Sequence, residues 1–147
     1  MYLSMLLLLP LLGIFIIYSN DYYYNKKNLS YNTIAFTVSI LDLILSLIIL
    51  LEYDYSNNQF QFIESNYFLN YFNIYIGLDG ISIYFVILTN IIIPLAILSN
   101  WNSIKDKKEA YLIIMLLLQT LLLGVFLVLD YLLFYIFLKV HYLLYFY

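Results

Sequence analysis

The chain has 147 residues, of which 65% are hydrophobic and 10% are charged, and its formal net charge at pH 7 is −3. A soluble domain is about half apolar and about one quarter charged, and a fold of this length cannot bury so much apolar surface in its own core. The composition therefore excludes a soluble domain and predicts an integral membrane protein, and the lack of cysteine excludes disulfides and thiolate metal sites.

Five apolar runs predict transmembrane helices. The first, residues 1–18, has neither the basic start nor the cleavage site of a signal peptide, so we interpret it as a retained helix. The other predicted spans are residues 31–51, 81–101, 111–129 and a partial one at 131–147. A bilayer core requires about 20 apolar residues per helix. The sequence thus predicts an all-α integral membrane protein, a single helical bundle over residues 1–147, with four complete transmembrane helices and a partial fifth.

The polar segments between these spans differ in charge. Residues 52–80 contain no lysine and many aromatic side chains, which is typical of an interfacial loop lying against lipid headgroups. The segments after the first and third spans are basic and contain Lys26, Lys27, Lys105, Lys107 and Lys108. Positively charged loops favour the inner side of a membrane. We therefore expect both basic segments on the matrix or cytoplasmic side and the N-terminus on the opposite side.

Three aspartates lie in a span or at the ends of spans. Asp42 is near the middle of the second span, where an ionisable group costs about 2.5–3.5 kcal/mol on insertion scales. It is either a proton or cation carrier, or an acid that is protonated or paired against a neighbouring helix. Asp79 and Asp130 fall at span ends, where water or headgroups solvate a carboxylate.

Three other residues inside the spans indicate helix packing. Gln119 lies near the middle of the fourth span and is predicted to hydrogen-bond across helices. Pro94 frees a backbone carbonyl and predicts a kink in the third helix. Gly124 allows helix backbones to approach each other closely.

Motifs of soluble enzymes are missing from the sequence. It contains no glycine-rich phosphate loop, no H-E-x-x-H pair and no Ser/His/Asp constellation. His141 is the single histidine, and one histidine does not make a metal site. No basic stretch is long enough for a nucleic-acid footprint. We therefore predict no catalytic, cofactor-binding or metal-binding residue in this chain and no nucleic-acid partner.

Two segments of the chain carry the motifs of a known family. Residues 75–101, "YIGLDGISIYFVILTNIIIPLAILSNW", contain G-x-D-G-I-S, then T-x-x-x-x-P and a final tryptophan, and residues 108–137 contain G-V-F-x-x-x-D and F-Y-x-F. In these motifs the chain resembles NADH–ubiquinone oxidoreductase chain 4, an antiporter-like subunit of mitochondrial complex I. The matching positions of the first segment are Gly77, Asp79, Gly80, Ile81, Ser82, Thr89, Pro94 and Trp101. The resemblance covers residues 1–137, about the first third of a family member.

The resemblance implies the fold of the antiporter-like subunits and a role in proton translocation driven by electron transfer from NADH to ubiquinone. It implies that NAD, FMN, iron–sulfur clusters and ubiquinone are bound by other subunits and that this chain holds no cofactor. The implied location is the mitochondrial inner membrane, as a multi-pass protein among other membrane-arm subunits and lipid. It also implies that Asp79 and Asp130 cap the third and fifth helices, whereas Asp42 matches no acid that the family requires.

The last residues depart from the family. Phe134 to Phe137 fit the motif F-Y-x-F-F-E. Leu138 occupies the position of the next phenylalanine, and Lys139 occupies the position of the central glutamate. Lysine in place of glutamate inverts the charge at this position. A carboxylate would attract a neighbouring protonated lysine, whereas a second lysine repels it. Either the reading frame runs into an intron near Leu138, or the subunit is split and altered. On its own, this chain is expected neither to pump protons nor to bind quinone.

Three alternatives to a complex I subunit remain open from the sequence. One is an inactive truncated or intron-read-through product of the same gene, and another is a small membrane scaffold with no transport role. The third is a subunit of a cation/proton antiporter, which shares the architecture. The chain has 18 tyrosines and 11 phenylalanines and no arginine. Amino acids with A+T-rich codons are thus over-represented, which is typical of an organelle genome and argues against a bacterial antiporter gene.

Overall fold

The computed structural model describes residues 2–24, 31–56, 59–68, 72–103 and 107–146. Within them lie five α-helices: α1 (Tyr2–Tyr24), α2 (Tyr31–Glu52), α3 (Ser82–Ser99), α4 (Lys108–Leu127) and α5 (Tyr131–Tyr145). Helices are favoured because a bilayer offers no water to the backbone, and each helix satisfies its own N–H and C=O groups. Four of the helices are long and apolar enough to cross a membrane, and α5 is shorter. The predicted fold class is confirmed; that the chain forms one domain stays a prediction.

Residues 52–80, predicted as an interfacial loop, contain a β-hairpin that the sequence analysis missed. Strands β1 (Gln61–Phe68) and β2 (Phe72–Leu78) pair antiparallel. The register shifts between Gln61 and Glu64, and Phe62 lies in this bulge with a positive φ of 55°, as bulged residues can. The hairpin rests on the end of α4, where the Leu129 amide donates to the Tyr75 carbonyl at 3.0 Å.

The first four helices form a ring. Helix α1 packs against α2 and α4, and α3 packs against the same two helices from the other side. Helix α5 packs against α4. Gly124 permits this last contact, because a Cβ at this position would lie 3.1 Å from atoms of the Phe137 ring. Gly124 is a packing position as predicted, and the group that lies against it is the Phe137 ring and not a helix backbone.

Two apolar clusters fill the ring at opposite ends. The hairpin-side cluster lies beside β2 and comprises Leu3, Leu6, Ile49, Tyr53, Ile76, Leu78, Ile83, Val86, Leu123 and Leu127. The lysine-side cluster lies near the start of α4 and comprises Ile17, Ile34, Ala35, Val38, Ile93, Ile97, Leu112 and Leu116. The start of α4 and the hairpin are therefore at opposite ends of the ring. Lys26, Lys27 and Lys105 lie outside the described residues, and the side that faces the matrix stays a prediction.

Asp130 occupies the N-cap position of α5 as expected but makes no capping hydrogen bond with its side chain, and Asp79 is not the N-cap residue of α3. Neither α3 nor α5 has a side-chain hydrogen bond at its N-cap, which is Ile81 in α3 and Asp130 in α5. The Asp79 carboxylate instead accepts from the Gly80 amide at 2.7 Å. Ser82, the first residue of α3, satisfies one amide before the helix, because its Oγ accepts from the Asp79 amide at 2.7 Å.

Glu64 joins the hairpin to the first helix. Its Oε1 accepts from the Leu3 amide at 3.0 Å and its Oε2 accepts from the Ser4 amide at 3.1 Å. Amides in the first turn of a helix have no intrahelical partner, and a carboxylate there also suits the helix dipole. Glu64 is therefore an N-terminal cap supplied by a strand about 60 residues away in sequence.

We expect Glu64→Ala to lower the free energy of unfolding by about 1 kcal/mol, because the first-turn amides of α1 lose their acceptor. Amide hydrogen exchange in the first turn of α1 should accelerate, with Glu64→Gln intermediate because it keeps an oxygen but loses the charge. Glu52→Ala, at an exposed carboxylate that ends α2, is the control. Equal effects of Glu52→Ala and Glu64→Ala would contradict the capping role.

Candidate functional site

A layer of buried polar side chains lies between the two apolar clusters. On α2 the residues Ser39, Asp42 and Ser46 follow helical spacing and share one face. Helix α3 contributes Thr89 and Asn90, and α4 contributes Gln119 and Thr120. All seven are buried, and Ser39, Asp42, Asn90 and Gln119 are 0% exposed. We call these seven residues the polar layer.

The polar layer lies at the middle of the membrane-spanning helices. Asp42, Asn90 and Gln119 each sit near the midpoint of their helices, which have 22, 18 and 20 residues. Helices α2 and α4 run in the same direction and α3 runs in the opposite one, since their ends alternate between the two apolar clusters. Midpoints of antiparallel helices of similar length meet at one depth, which is why these three residues come together.

Gln119 is the centre of the hydrogen bonds that link the three helices. Its Nε2 donates to Asp42 Oδ2 at 2.8 Å and to Asn90 Oδ1 at 2.9 Å. The Asn90 side-chain amide donates to the backbone carbonyl of Asp42 at 3.3 Å. Each of α2, α3 and α4 is thus bound to the other two by polar contacts deep in the bundle. The predicted hydrogen bond of Gln119 across helices is confirmed.

Two acceptors of the polar layer have no hydrogen-bond donor among the residues that the structure describes. Asp42 Oδ1 and Gln119 Oε1 are both buried without a partner. Burying a polar group costs free energy unless it is hydrogen-bonded, and a carboxylate costs most. The interactions of Asp42 within the described part of the chain are those with Gln119 and Asn90, and neither partner is a cation.

Pro94 adds a further acceptor next to the polar layer. Helix α3 continues through Pro94 from Ser82 to Ser99. Proline has no N–H, so the backbone carbonyl four residues before it, that of Asn90, loses its helical donor. The carbonyl that the sequence analysis expected Pro94 to free therefore belongs to a residue of the polar layer. The predicted kink stays a prediction.

The remaining sequence candidates lie elsewhere. Lys139 is exposed on α5, and its Nζ lies 5.3 Å from the centroid of the Tyr135 ring, a cation–π distance. His141 is half-buried on the same helix. Among the residues searched in the described ranges, no group of three or more His, Cys, Asp or Glu could hold a metal ion.

The two motif acids share an open cavity at the hairpin end. The cavity has a volume of about 310 Å³, and its lining includes Gly77, Asp79, Ser82 and Asp130. Both acids are exposed at the end of the bundle, where the sequence analysis expected water or headgroups to solvate them. Beside the hairpin, hydrogen bonds from Ser56 hold the pKa of the Asp54 carboxyl below its usual value.

The sequence analysis identified Asp42 and Gln119 of the hydrogen-bonded polar layer and missed Asn90. Asp42 was expected to be a carrier or to pair with a neighbouring helix, and the structure pairs it with α3 and α4. Asn90 was not considered, although a mid-span asparagine is a polar group in the bilayer in the same way as Gln119. The position of Asn90 near the middle of the third predicted span could have identified it as a buried polar residue.

Curated relatives match most of this chain. It is 38% identical over 124 residues, 84% of its length, to NADH-ubiquinone oxidoreductase chain 4 of Mycosarcoma maydis. It is 35% identical over 104 residues, 69% of its length, to NADH-quinone oxidoreductase subunit M of Rickettsia typhi. The chain spans 26% and 21% of the lengths of these two relatives. No protein-family model matches it.

A third relative has a different name. The chain is 58% identical over 96 residues to an "Uncharacterized 50.9 kDa protein in ND4 intron 1" of Podospora anserina. The match covers 65% of this chain and 21% of that protein. Sequence of this type therefore also occurs in a protein named for an intron.

Proposed function

Because the chain belongs to the family of NADH-ubiquinone oxidoreductase chain 4, whose N-terminal part it matches, we propose that it forms the first helices of a membrane-arm subunit of respiratory complex I. The whole subunit takes part in proton translocation coupled to electron transfer from NADH to ubiquinone. Its location is the mitochondrial inner membrane, and its partners are the other membrane-arm subunits and lipid. NAD, FMN, iron–sulfur clusters and ubiquinone belong to other subunits.

The observation that carries this proposal is the 38% identity over 84% of the chain. The four membrane-length apolar helices support it, because they suit a multi-pass subunit. The polar layer supports it as well, since buried polar groups inside membrane-spanning helices are expensive and are retained where ions or protons move. This chain contributes helix packing and the polar layer to the subunit, and the electron-transfer chemistry occurs elsewhere in the complex.

Native electrophoresis of solubilised mitochondrial membranes tests the proposal. The chain should migrate with complex I, so peptides from residues 31–56 and 72–103 should be detected in the gel band that has NADH dehydrogenase activity. A peptide from another respiratory complex serves as the control for co-migration. Peptides of this chain in total membranes but not in the complex I band would overturn the assignment.

A second candidate is an intron-read-through product of the same gene. The relative named for an intron of ND4 favours it, as does Lys139 at the position where the family resemblance implies a glutamate. We predict that the mature transcript replaces the codons for Leu138 and Lys139 with codons for Phe-Glu, since the carboxylate is the charge that the family motif requires. Sequencing the spliced message across residues 137–147 measures this. A mature message that keeps the Lys139 codon would contradict splicing at this point.

A further inference from the structure

We propose that Asp42 is a proton-binding site in the middle of the membrane, at which the Oδ1 atom takes up and releases one proton while Gln119 holds Oδ2. The proposal rests on contacts among α2, α3 and α4. It therefore stands whether or not the chain assembles into complex I.

The first argument is a shortage of donors in the polar layer. The hydroxyls of its serines and threonines donate to carbonyls of their own helices: Ser39 to Phe36, Ser46 to Leu43, Thr89 to Val86 and Thr120 to Leu117. Both N–H groups of Gln119 are used, one for Asp42 Oδ2 and one for Asn90 Oδ1. The Asn90 side-chain amide donates to the backbone carbonyl of Asp42. Within the described part of the chain, Asp42 Oδ1 and Gln119 Oε1 remain without a donor. A proton on Asp42 Oδ1 turns one of these two acceptors into a donor.

The second argument concerns charge. A carboxylate in an apolar interior needs a cation or several hydrogen bonds to offset its lost hydration. The Asp42 carboxylate has one donor, Gln119, and apolar clusters lie on both sides of it along the helices. Binding a proton removes the charge and leaves the hydrogen bond from Gln119 to Oδ2 intact. Releasing the proton restores a charge that the bundle holds through one hydrogen bond.

The third argument is that no second titratable group faces Asp42 among the side chains that the structure describes on the four packed helices. The titratable side chains of these helices lie toward the helix ends and outside the polar layer: Tyr2, Tyr18, Tyr31, Glu52, Tyr84, Lys108, Glu109 and Tyr111. On α5, which packs against α4, Lys139 is exposed and lies over Tyr135. The site therefore titrates as a single group that exchanges one proton.

Carbodiimide labelling of the full chain in lipid vesicles tests the proposal. Dicyclohexylcarbodiimide adds to a protonated carboxyl group, and in an apolar site the product rearranges to a stable N-acylurea, which mass spectrometry locates. We expect labelling of Asp42 that decreases as the pH is raised, and no label at this position in Asp42→Asn. Infrared spectra of the unaltered chain with ¹³C-aspartate should show an isotope-shifted protonated-acid band that disappears over the same pH range.

Two outcomes would overturn the proposal. In one, Asp42 is unlabelled and the infrared band is absent from acid to alkaline pH, so the group does not bind an exchangeable proton. In the other, Na⁺ at constant pH blocks the labelling while choline at the same concentration does not, so the two free oxygens bind a metal cation instead. The infrared measurement uses the unaltered chain and does not depend on the folding of a variant. Assembly into complex I affects neither readout.

Discussion

Gln119→Leu is expected to lower the free energy of unfolding of the chain by about 1–3 kcal/mol, because it leaves the buried Asp42 without a donor to its carboxyl group. The amide of Gln119 is 2.8 Å from Asp42 Oδ2 and 2.9 Å from Asn90 Oδ1, so one substitution breaks the hydrogen bonds that the Gln119 side chain of α4 makes to α2 and α3. Reversible unfolding in detergent micelles, followed by circular dichroism, measures the change.

The double variant provides the control for this prediction. In Asp42→Leu the carboxyl group itself is removed, and Asn90 still accepts from Gln119. When both partners are replaced by apolar side chains, no buried carboxyl is left unsatisfied, and the remaining loss is that of Asn90 Oδ1, which no longer has Gln119 as its donor. The Asp42→Leu/Gln119→Leu chain should therefore be more stable than the sum of the single losses predicts, with a coupling energy of about 0.5–3 kcal/mol. Additive losses would mean that the two side chains do not interact.

Gly13→Leu is expected to have the other large effect, a loss of about 1–3 kcal/mol from overpacking. A Cβ on Gly13 would lie 2.9 Å and 3.1 Å from the two γ carbons of Val38 and 3.2 Å from Leu116 Cδ1. The site lies where α1 meets α2 and α4, and a β-branched valine has few alternative rotamers. Helix α1 must therefore move away from the ring, which melting in micelles and faster hydrogen exchange in α1 should both report.

A smaller change and a matched glycine test this explanation. Gly13→Ala should be less destabilising than Gly13→Leu, and Val38→Ala should restore part of the loss by making room for the new Cβ. At Gly80 a Cβ would meet Tyr53 Oη at 3.5 Å, an ordinary contact, and Gly80 does not have a positive φ. Gly80→Ala should therefore leave stability nearly unchanged. A Gly13→Ala chain as stable as Gly80→Ala would contradict close packing of α1.

Hydropathy predicted the helices well because a bilayer restricts the chain so strongly. The helices observed at Tyr31–Glu52, Ser82–Ser99 and Lys108–Leu127 lie within a few residues of the predicted spans. The first helix was predicted to end at residue 18 but continues to Tyr24. Polar residues can extend a helix beyond the membrane because their side chains then lie outside the apolar part of the bilayer. Apolar run length indicates where the lipid ends, not where the helix ends.

The hairpin was missed for a different reason. Its strands, "QFIESNYF" and "FNIYIGL", are rich in aromatic and β-branched residues, which strands favour. The same aromatic residues are typical of the membrane interface, and that interpretation was preferred. The contact of Glu64 with α1 spans about 60 residues of sequence, and no local pattern predicts a cap at that separation.

The contacts within the polar layer could not be predicted from the sequence alone. Asp42 and Gln119 were recognised as mid-span polar residues, but their meeting depends on which helices are neighbours around the ring. In the structure, Asp42, Asn90 and Gln119 lie near the midpoints of α2, α3 and α4 and therefore at one depth. Rotation of each helix about its own axis decides whether the side chains face each other, and that rotation follows from the packing of the two apolar clusters.

Electron cryo-microscopy of complex I purified from the mitochondria that encode this chain is the most direct test of its place and architecture. We predict density for this sequence at the start of a membrane-arm subunit, with Gln119 within hydrogen-bond distance of Asp42 and Asn90 halfway between the hairpin and the start of α4. A complex I whose chain 4 subunit lacks this sequence, or in which Gln119 faces lipid and α2 to α4 meet through apolar side chains alone, would contradict the account.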